Sequence, residues 1–385
     1  MKSSQDKKRS RYMEWAKTRS HAKFNLATSG VMSVPLAEFP WRSEELELTA
    51  AGNYGYEPLR QRLARHTGAP EECLVTATGT SMANHLAMAA ALERGDDVLM
   101  EEPAYGPLLD VAVYLGARVR RVLRRMEDGF AADPAKIKRL LKPRTRLIVL
   151  TNLHNPSGAL IPAELMRAIG EMAARTGARV LVDEVYLEML FGREAPSAFS
   201  IGLGFADAGG RARKAGNPFI VTSSLTKVYG LSGLRCGWVL AEAELARRMW
   251  LLNDLFGASA VHIAERLSVT ALDHLEPIRE RARKLLESNR ALLDAFLDSR
   301  RDLECFRPPA GTVVFPRLRR GNPAAFFTLL REKHETSVVP GEFFEMPRHF
   351  RLGIGGDTAT LRAGLERLSA ALDEFGRSGA QATRR

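Results

Sequence analysis

Apolar positions along this chain recur in two alternating rhythms. Short runs rich in branched residues read as strands: Leu74–Thr78, Val98–Glu101, Arg118–Leu123, Leu147–Leu150, Arg179–Val182, Phe219–Val221 and Cys236–Ala241. Between and before them lie stretches with helical spacing: Glu57–His66 stopped at Gly68, Met82–Arg94 ended by Gly95, Pro107–Leu115, Asp133-Pro134 through Leu141, and Ala163–Arg175 ended by Gly177. Proline suits a first helical turn because the N–H it lacks has no partner there anyway. Strands and helices in this alternation predict an α/β architecture, a mostly parallel sheet with helices on both faces. After a long helical stretch from Ala243 to about Arg300 the pattern changes. Thr312–Pro316 and Thr336–Pro340 read as strands, with helices near Pro323–His334 and Thr358–Phe375. That is a smaller α+β part, which the polar N-terminal arm is expected to join. The expected division is an arm over 1–45, a large part over 46–275 and the small part over 276–385.

Composition narrows the classes. With 385 residues, 45% hydrophobic and 26% charged, the chain is an ordinary globular one able to bury a large core. No apolar run approaches the roughly 18 residues of a membrane span. The basic start Met1–Arg11 is followed by no apolar segment, so a secretory signal is not expected. Cys73, Cys236 and Cys305 are scattered, which suggests neither a disulfide framework nor a metal site, and a cytoplasmic protein. A net charge of +11 raises the question of nucleic acid. The basic residues are spread out, however, and those of Arg118–Arg125 alternate with Val119, Val122 and Leu123 as on a strand with one wet face. An arginine-rich surface with basic tails is the expectation, without a nucleic-acid or membrane partner.

Ligands of open parallel sheets sit beyond the carboxyl ends of the strands, so residues just after strands carry the functional reading. Lys227 follows a buried strand among hydroxyls and glycines, where an ammonium is costly and a neutral, nucleophilic amine is favoured. Arg235 keeps its charge and suits a phosphate. Gly79-Thr80-Ser81 leads a strand into a helix, either as a simple cap or as an anion cradle of free N–H groups. Tyr105 is either a packed ring or one stacked on a planar ligand. In Thr151-Asn-Leu-His-Asn-Pro-Ser-Gly158, Asn155 either shapes the turn or donates to a ligand oxygen, and His154 reads as scaffolding. Val182-Asp-Glu-Val-Tyr186 ends a strand with a carboxylate that wants a cation. Asp183 is preferred to Glu184 because it comes first after the apolar run, and a protonated pyridine nitrogen would satisfy it. Arg351, at the head of Arg351-Leu-Gly-Ile-Gly-Gly356, is a surface residue or a carboxylate clamp.

An amine for a Schiff base, a pyridinium partner, an oxygen donor, a stacking ring and phosphate contacts together match the needs of pyridoxal phosphate. The segments Asn155-Pro-Ser-Gly, Asp183-Glu-Val-Tyr, Ser223-Ser-Leu-Thr-Lys and Gly233-Leu-Arg-Cys-Gly-Trp resemble, in order and spacing, those of the class I/II aminotransferases, fold type I pyridoxal-phosphate enzymes. The resemblance extends from about Gly52 to Gly356. It implies a seven-stranded sheet in the large part and a homodimer with shared active sites, acting on an α-amino acid and a 2-oxo acid. It implies that Lys227 forms the Schiff base and moves the proton, that Asp183 pairs with the ring nitrogen, and that Tyr186 and Asn155 bond the ring oxygen. Tyr105 would stack on the ring. Gly79, Thr80, Ser81, Ser224 and Arg235 would cradle the phosphate, with Tyr54 or Tyr56 reaching the phosphate of the neighbouring subunit. Arg351, with Gly30 and Asn155 nearby, would hold the substrate carboxylate. β-Elimination, cyclisation or decarboxylation on the same scaffold is the alternative reaction.

Overall fold

The computed structural model describes residues 8–49, 53–193, 195–205 and 216–382. The first residues of the basic start, the tip of the C-terminal tail and Gly52 lie outside them. In chain order the elements begin with α1 (Arg11–Thr18), β1 (Phe24–Asn25), α2 (Glu57–Thr67), β2 (Leu74–Thr78), α3 (Gly79–Ala91), β3 (Asp97–Glu102), α4 (Gly106–Tyr114) and β4 (Arg118–Leu123). They continue with α5 (Pro134–Leu140), β5 (Thr145–Thr151), α6 (Ala163–Thr176), β6 (Arg179–Asp183), α7 (Ala198–Leu203), β7 (Phe219–Ser224) and β8 (Cys236–Leu240).

Strands β2 to β8 form one seven-stranded sheet in the order β2-β8-β7-β6-β5-β3-β4. All its pairings are parallel except those of β8, which runs antiparallel to both β7 and β2. The central strands read as unbroken apolar runs because both faces are covered. Ile148, Leu150, Val180, Val182, Phe219 and Val221 pack into one core, and the alternate residues Leu147, Val149, Leu181 and Ile220 into the other. Each is at most 2% exposed, and burying such a side chain is worth about 1.5–3 kcal/mol. β4 is the sheet edge, which explains its partly wet, arginine-bearing pattern.

Beyond the sheet the expected long helical stretch divides into α8 (Ala243–Asn253), α9 (His262–Asp273) and α10 (Leu275–Ser299). The first break holds Gly257 and Ala258, the latter at φ 50°, outside the helical region. The rest comprises β9 (Leu303–Glu304), β10 (Val313–Val314), β11 (Arg317–Leu318), α11 (Pro323–Glu332), β12 (Thr336–Ser337), β13 (Val339–Pro340), β14 (Phe350–Gly353) and α12 (Thr358–Ala382). The single strand expected over Thr336–Pro340 is two, because its halves serve different partners. β12 pairs in parallel with β1 of the arm, and β13 pairs antiparallel with β14. Among the described residues no helix is long and apolar enough to cross a membrane, and no cluster of three metal-ligating side chains occurs.

Candidate active site

The carboxyl ends of the central strands open onto a cavity of about 570 Å³, whose wall includes Lys227, Asp183, Tyr186, Asn155, Tyr105, Thr80, Ser81, Ser224, Arg235 and Gly30. Period-two alternation decides which strand-end groups reach it. Asp183, the last residue of β6, faces the cavity. Glu184 turns the other way, accepts the Ala198 N–H at 2.7 Å and lines a separate cavity with Ser223.

Asp183 is almost fully buried and has no cationic partner in contact among the described residues. Its Oδ2 accepts from Asn84 Nδ2 at 2.8 Å and its Oδ1 from the Val185 N–H at 3.1 Å. Burial pushes its pKa up to about 6 despite those bonds. The amide of Asn84 is fixed in turn by Thr222, whose hydroxyl donates to Asn84 Oδ1 at 2.7 Å. A carboxylate held this way is one cation short, which the protonated nitrogen of a pyridine ring would supply.

Lys227 stands three residues past β7 and donates from Nζ to Ser29 Oγ at 2.9 Å. Burial, reinforced by Arg351 and Arg235, lowers its pKa to about 8. Ser29 also reaches the Tyr186 phenol, which burial pushes up to about 12. Gly30 lies against Lys227 so closely that a Cβ there would meet Lys227 Cδ at 3.4 Å, and the Val31 N–H donates to the Lys227 carbonyl at 2.8 Å.

The opposite end of the cavity is built for an anion. Helix α3 begins at Gly79, three residues before the expected Met82, so the Gly79-Thr80-Ser81 triplet is its first turn and not a connector. No side chain caps that turn; the Gly79 N–H donates to the Arg235 carbonyl at 2.7 Å, and the N–H groups of Thr80 and Ser81 are the ones left for an anion. Gly79 takes φ +73°, and a Cβ on it would lie 2.2 Å from Arg235 Nη2. Thr80 Oγ1 donates to Ser224 Oγ at 2.8 Å. Among the described residues the Arg235 side chain is tethered through carbonyls alone, Thr78 at 3.2 Å and Ser232 at 3.4 Å. A buried lone carboxylate, a depressed amine and an uncapped helix end beside an arginine fit the three parts of pyridoxal phosphate: ring nitrogen, aldehyde carbon and phosphate.

Arg351 on β14 is not on the surface. It is 1% exposed, lies behind the cavity wall, and contacts no carboxylate among the described residues. Its Nη1 donates to Asn155 Oδ1 at 3.0 Å, and its Nη2 to the Tyr12 hydroxyl at 2.8 Å and the Ala27 carbonyl at 3.3 Å. Its Nε has no partner. His154 is scaffolding as expected. Its Nε2 donates to the Pro103 carbonyl at 2.9 Å, which leaves Nδ1 to accept from Ser157 Oγ at 2.6 Å, and burial holds its pKa well below the usual value. Tyr54 does not reach the cavity of its own chain: it is 49% exposed and donates to Asp254 Oδ2 at 3.1 Å. Tyr56 is absent from the wall too, its N–H bonded to Glu265 at 3.3 Å.

Three residues at the site were not anticipated: Asn84, Ser29 and Tyr12. A lone amide on the small apolar face of α3 is a signal for Asn84, and the adjacency of Ser29 to Gly30 is a weaker one. Tyr12, in a polar arm, has none.

A sheet of this topology with this cavity defines a fold type I pyridoxal-phosphate enzyme. Residues 43–368 match the family model for aminotransferases class I and II, and the chain belongs to that family. It is 31% identical to arginine–pyruvate transaminase of Pseudomonas aeruginosa, over 83% of this chain and 81% of that one. It is 27% identical to capreomycidine synthase of Streptomyces vinaceus, over 96% of this chain and 95% of that one. The solved pyridoxal-phosphate-dependent aminotransferase of Streptococcus suis superposes with a TM-score of 0.86 at 27% identity, over 95% of this chain and 98% of that one. Pyridoxal 5′-phosphate is the cofactor of this enzyme.

Proposed function

We propose that the enzyme transfers an amino group between an α-amino acid and a 2-oxo acid, and that Lys227 is the residue that holds the cofactor covalently and moves the proton. The observation that carries this reading is the pairing, across one cavity, of an amine depressed to about 8 with a buried carboxylate that lacks a cation. When bound, the cofactor supplies a sink for the electron pair left at the substrate Cα. The chain does the rest. Asp183 holds the ring nitrogen charged, with Asn84 and Thr222 fixing the carboxylate. Asn155 and Tyr186 bond the ring oxygen, and Tyr105 covers the ring. Thr80, Ser81, Ser224 and Arg235 take the phosphate, and Gly79, whose own N–H is spent on the Arg235 carbonyl, leaves the arginine room beside it. Arg351, buried without a counter-charge and backed by Gly30, takes the substrate carboxylate. Lys227 Nζ, once free, would take the Cα proton and give it back across the nitrogen, at the cofactor carbon that had carried the aldehyde.

The reconstituted protein is expected to show a visible absorption band that borohydride fixes onto Lys227 and that Lys227→Ala lacks. A reconstituted wild type without the band overturns the assignment. A second reading, another bond broken at Cα on the same scaffold, is favoured by the likeness to a synthase over nearly the whole chain. A panel of amino donors separates the two, beginning with arginine and pyruvate, the pair in the name of the transaminase relative. Conversion of the cofactor to its amine form in single turnovers supports transfer; a keto acid and ammonia released without an acceptor supports elimination.

The same reading makes the protein a cytoplasmic homodimer in which Tyr54 or Tyr56 serves the neighbouring phosphate. Tyr54 packs on Trp250 at 5.9 Å beside Leu255 and Phe256, which are 77% and 56% exposed, an apolar face that a second copy would cover. Light scattering reporting a monomer would remove this part.

A further inference from the structure

The surroundings of Arg351 contain a group that neither strand-end logic nor the family assignment accounts for. Arg351 is absent from the cavity wall, and the three residues it bonds, Asn155, Ala27 and Tyr12 from α1 of the N-terminal arm, all belong to that wall. Accounting for the protons shows what each can offer. Arg351 has five N–H bonds. Both on Nη2 are used, by the Tyr12 hydroxyl and the Ala27 carbonyl, and one on Nη1 is used by Asn155. Nε is unpartnered, and it does not share an edge of the guanidinium with Nη1. Each of the two forks that normally grip a carboxylate therefore has at least one of its donors already in use. The Tyr12 oxygen, which accepts from Arg351, keeps its own proton, and no acceptor for that proton stands among the described residues. Tyr12 belongs to the wall of the cavity, and its hydroxyl is bonded to Arg351.

Tyr12 is also held where it is. Its ring meets Tyr105 edge-on at 5.5 Å and 76°, Phe343 at 5.9 Å and 73°, and Phe344 at 6.0 Å. The Arg351 guanidinium sits 5.6 Å from the ring centroid. Four neighbours make displacement of the ring costly, whereas rotation of one hydroxyl proton toward a ligand costs almost nothing. We infer that Tyr12 is a substrate-positioning residue: its hydroxyl stays on Arg351 and donates its proton to the substrate carboxylate, so that the carboxylate is gripped by a neutral and a charged donor together. The inference rests on the reading of Arg351 as the carboxylate residue. It makes the arm helix part of the substrate site.

The test is calorimetric titration of the holoenzyme with 3-phenylpropionate, a carboxylate without an amine, and with 3-phenylpropan-1-ol, which carries an uncharged hydroxymethyl group in place of the carboxylate. Neither needs turnover. Tyr12→Phe keeps every ring contact, and an unchanged visible band and melting temperature would verify that the site is intact. A hydrogen bond to a charged group predicts that Tyr12→Phe weakens 3-phenylpropionate about 10-fold or more and leaves the alcohol unchanged. Arg351→Leu should weaken the acid at least as much. If Tyr12→Phe binds the acid as tightly as wild type, or more tightly because a competitor for Arg351 has gone, the inference is overturned while the Arg351 assignment stands. If Arg351→Leu also leaves the acid unaffected, the carboxylate reading of Arg351 falls and the role of Tyr12 falls with it.

Discussion

Replacing Glu101 by glutamine tests how far the site depends on a group that never touches it. Glu101, on β3, is 1% exposed and ion-paired with Arg124, also 1% exposed, at 2.5 Å. Its other oxygen accepts from the Thr151 N–H at 2.8 Å and the Thr151 hydroxyl at 2.6 Å. Thr151 Oγ1 accepts the Asn155 N–H at 2.9 Å, and Asn155 Oδ1 accepts from Arg351. A glutamine can satisfy Thr151 through its oxygen, but it then turns an NH₂ donor toward a guanidinium that is already a donor. Arg124 is left charged and buried with only the Phe130 carbonyl, at 2.6 Å from its Nε. Stranding one member of a buried pair costs about 3–5 kcal/mol. An unfolding entropy of about 2.1 cal/mol/K per residue gives roughly 0.8 kcal/mol/K for a chain of this length. Glu101→Gln should therefore lower the melting temperature of the cofactor-free protein by about 4–6 °C, read by scanning calorimetry at fixed scan rate. Adding Arg124→Met removes the stranded charge, so the double variant should melt above Glu101→Gln alone. A Glu101→Gln protein melting within about 1 °C of wild type, or a double variant that is less stable still, refutes the reasoning.

Other consequences can be measured on the cofactor-free protein. With the Lys227 amine at about 8 and not at 10.5, the rate of cofactor uptake, which needs the neutral amine, should rise through pH 7 and level off above about 8. A profile still climbing to pH 10 contradicts the lowered value. Asn84→Ala removes the only side chain among the described residues that donates to Asp183 and should raise the Asp183 pKa beyond about 6. Cofactor affinity by equilibrium dialysis should then fall about tenfold, and an unchanged affinity would show that Asn84 is a bystander. Gly79→Ala puts a methyl 2.2 Å from Arg235 Nη2 at a backbone φ of +73°, whereas a methyl on Gly233 meets nothing within 4 Å. The first should weaken cofactor binding at least tenfold and the second should not. Equal effects would refute a steric cause.

The central strands were legible because a sheet covered on both faces must be apolar at every position, and such runs need no tertiary context to be recognised. Asp183 is preferred to Glu184 only because it comes first after the apolar run; the alternation that turns Glu184 toward the Ala198 N–H is not readable in a strand apolar on both faces. The start of α3 was not legible, since an uncapped helix whose first residue sits at positive φ carries none of the usual opening signals. Nor was the division of Thr336–Pro340, because what splits it is a choice between two partner strands. The partners of Asp183, Lys227 and Arg351 at the site, namely Asn84, Ser29 and Tyr12, lie 99, 198 and 339 residues away from them. Pairings over such distances leave no periodicity to read.

The pairing of β1 with β12 also sets a timetable for biosynthesis. The hydrogen bond between Asn25 and Ser337 spans 312 residues, so at about 5–20 residues per second the arm emerges from the ribosome roughly 15–60 s before the strand it joins. All seven strands of the large sheet have been synthesised by residue 240, which leaves that sheet free to form while the arm is still without its dock. A nascent chain stalled before residue 336 is then expected to expose Phe24 to chaperones and proteases.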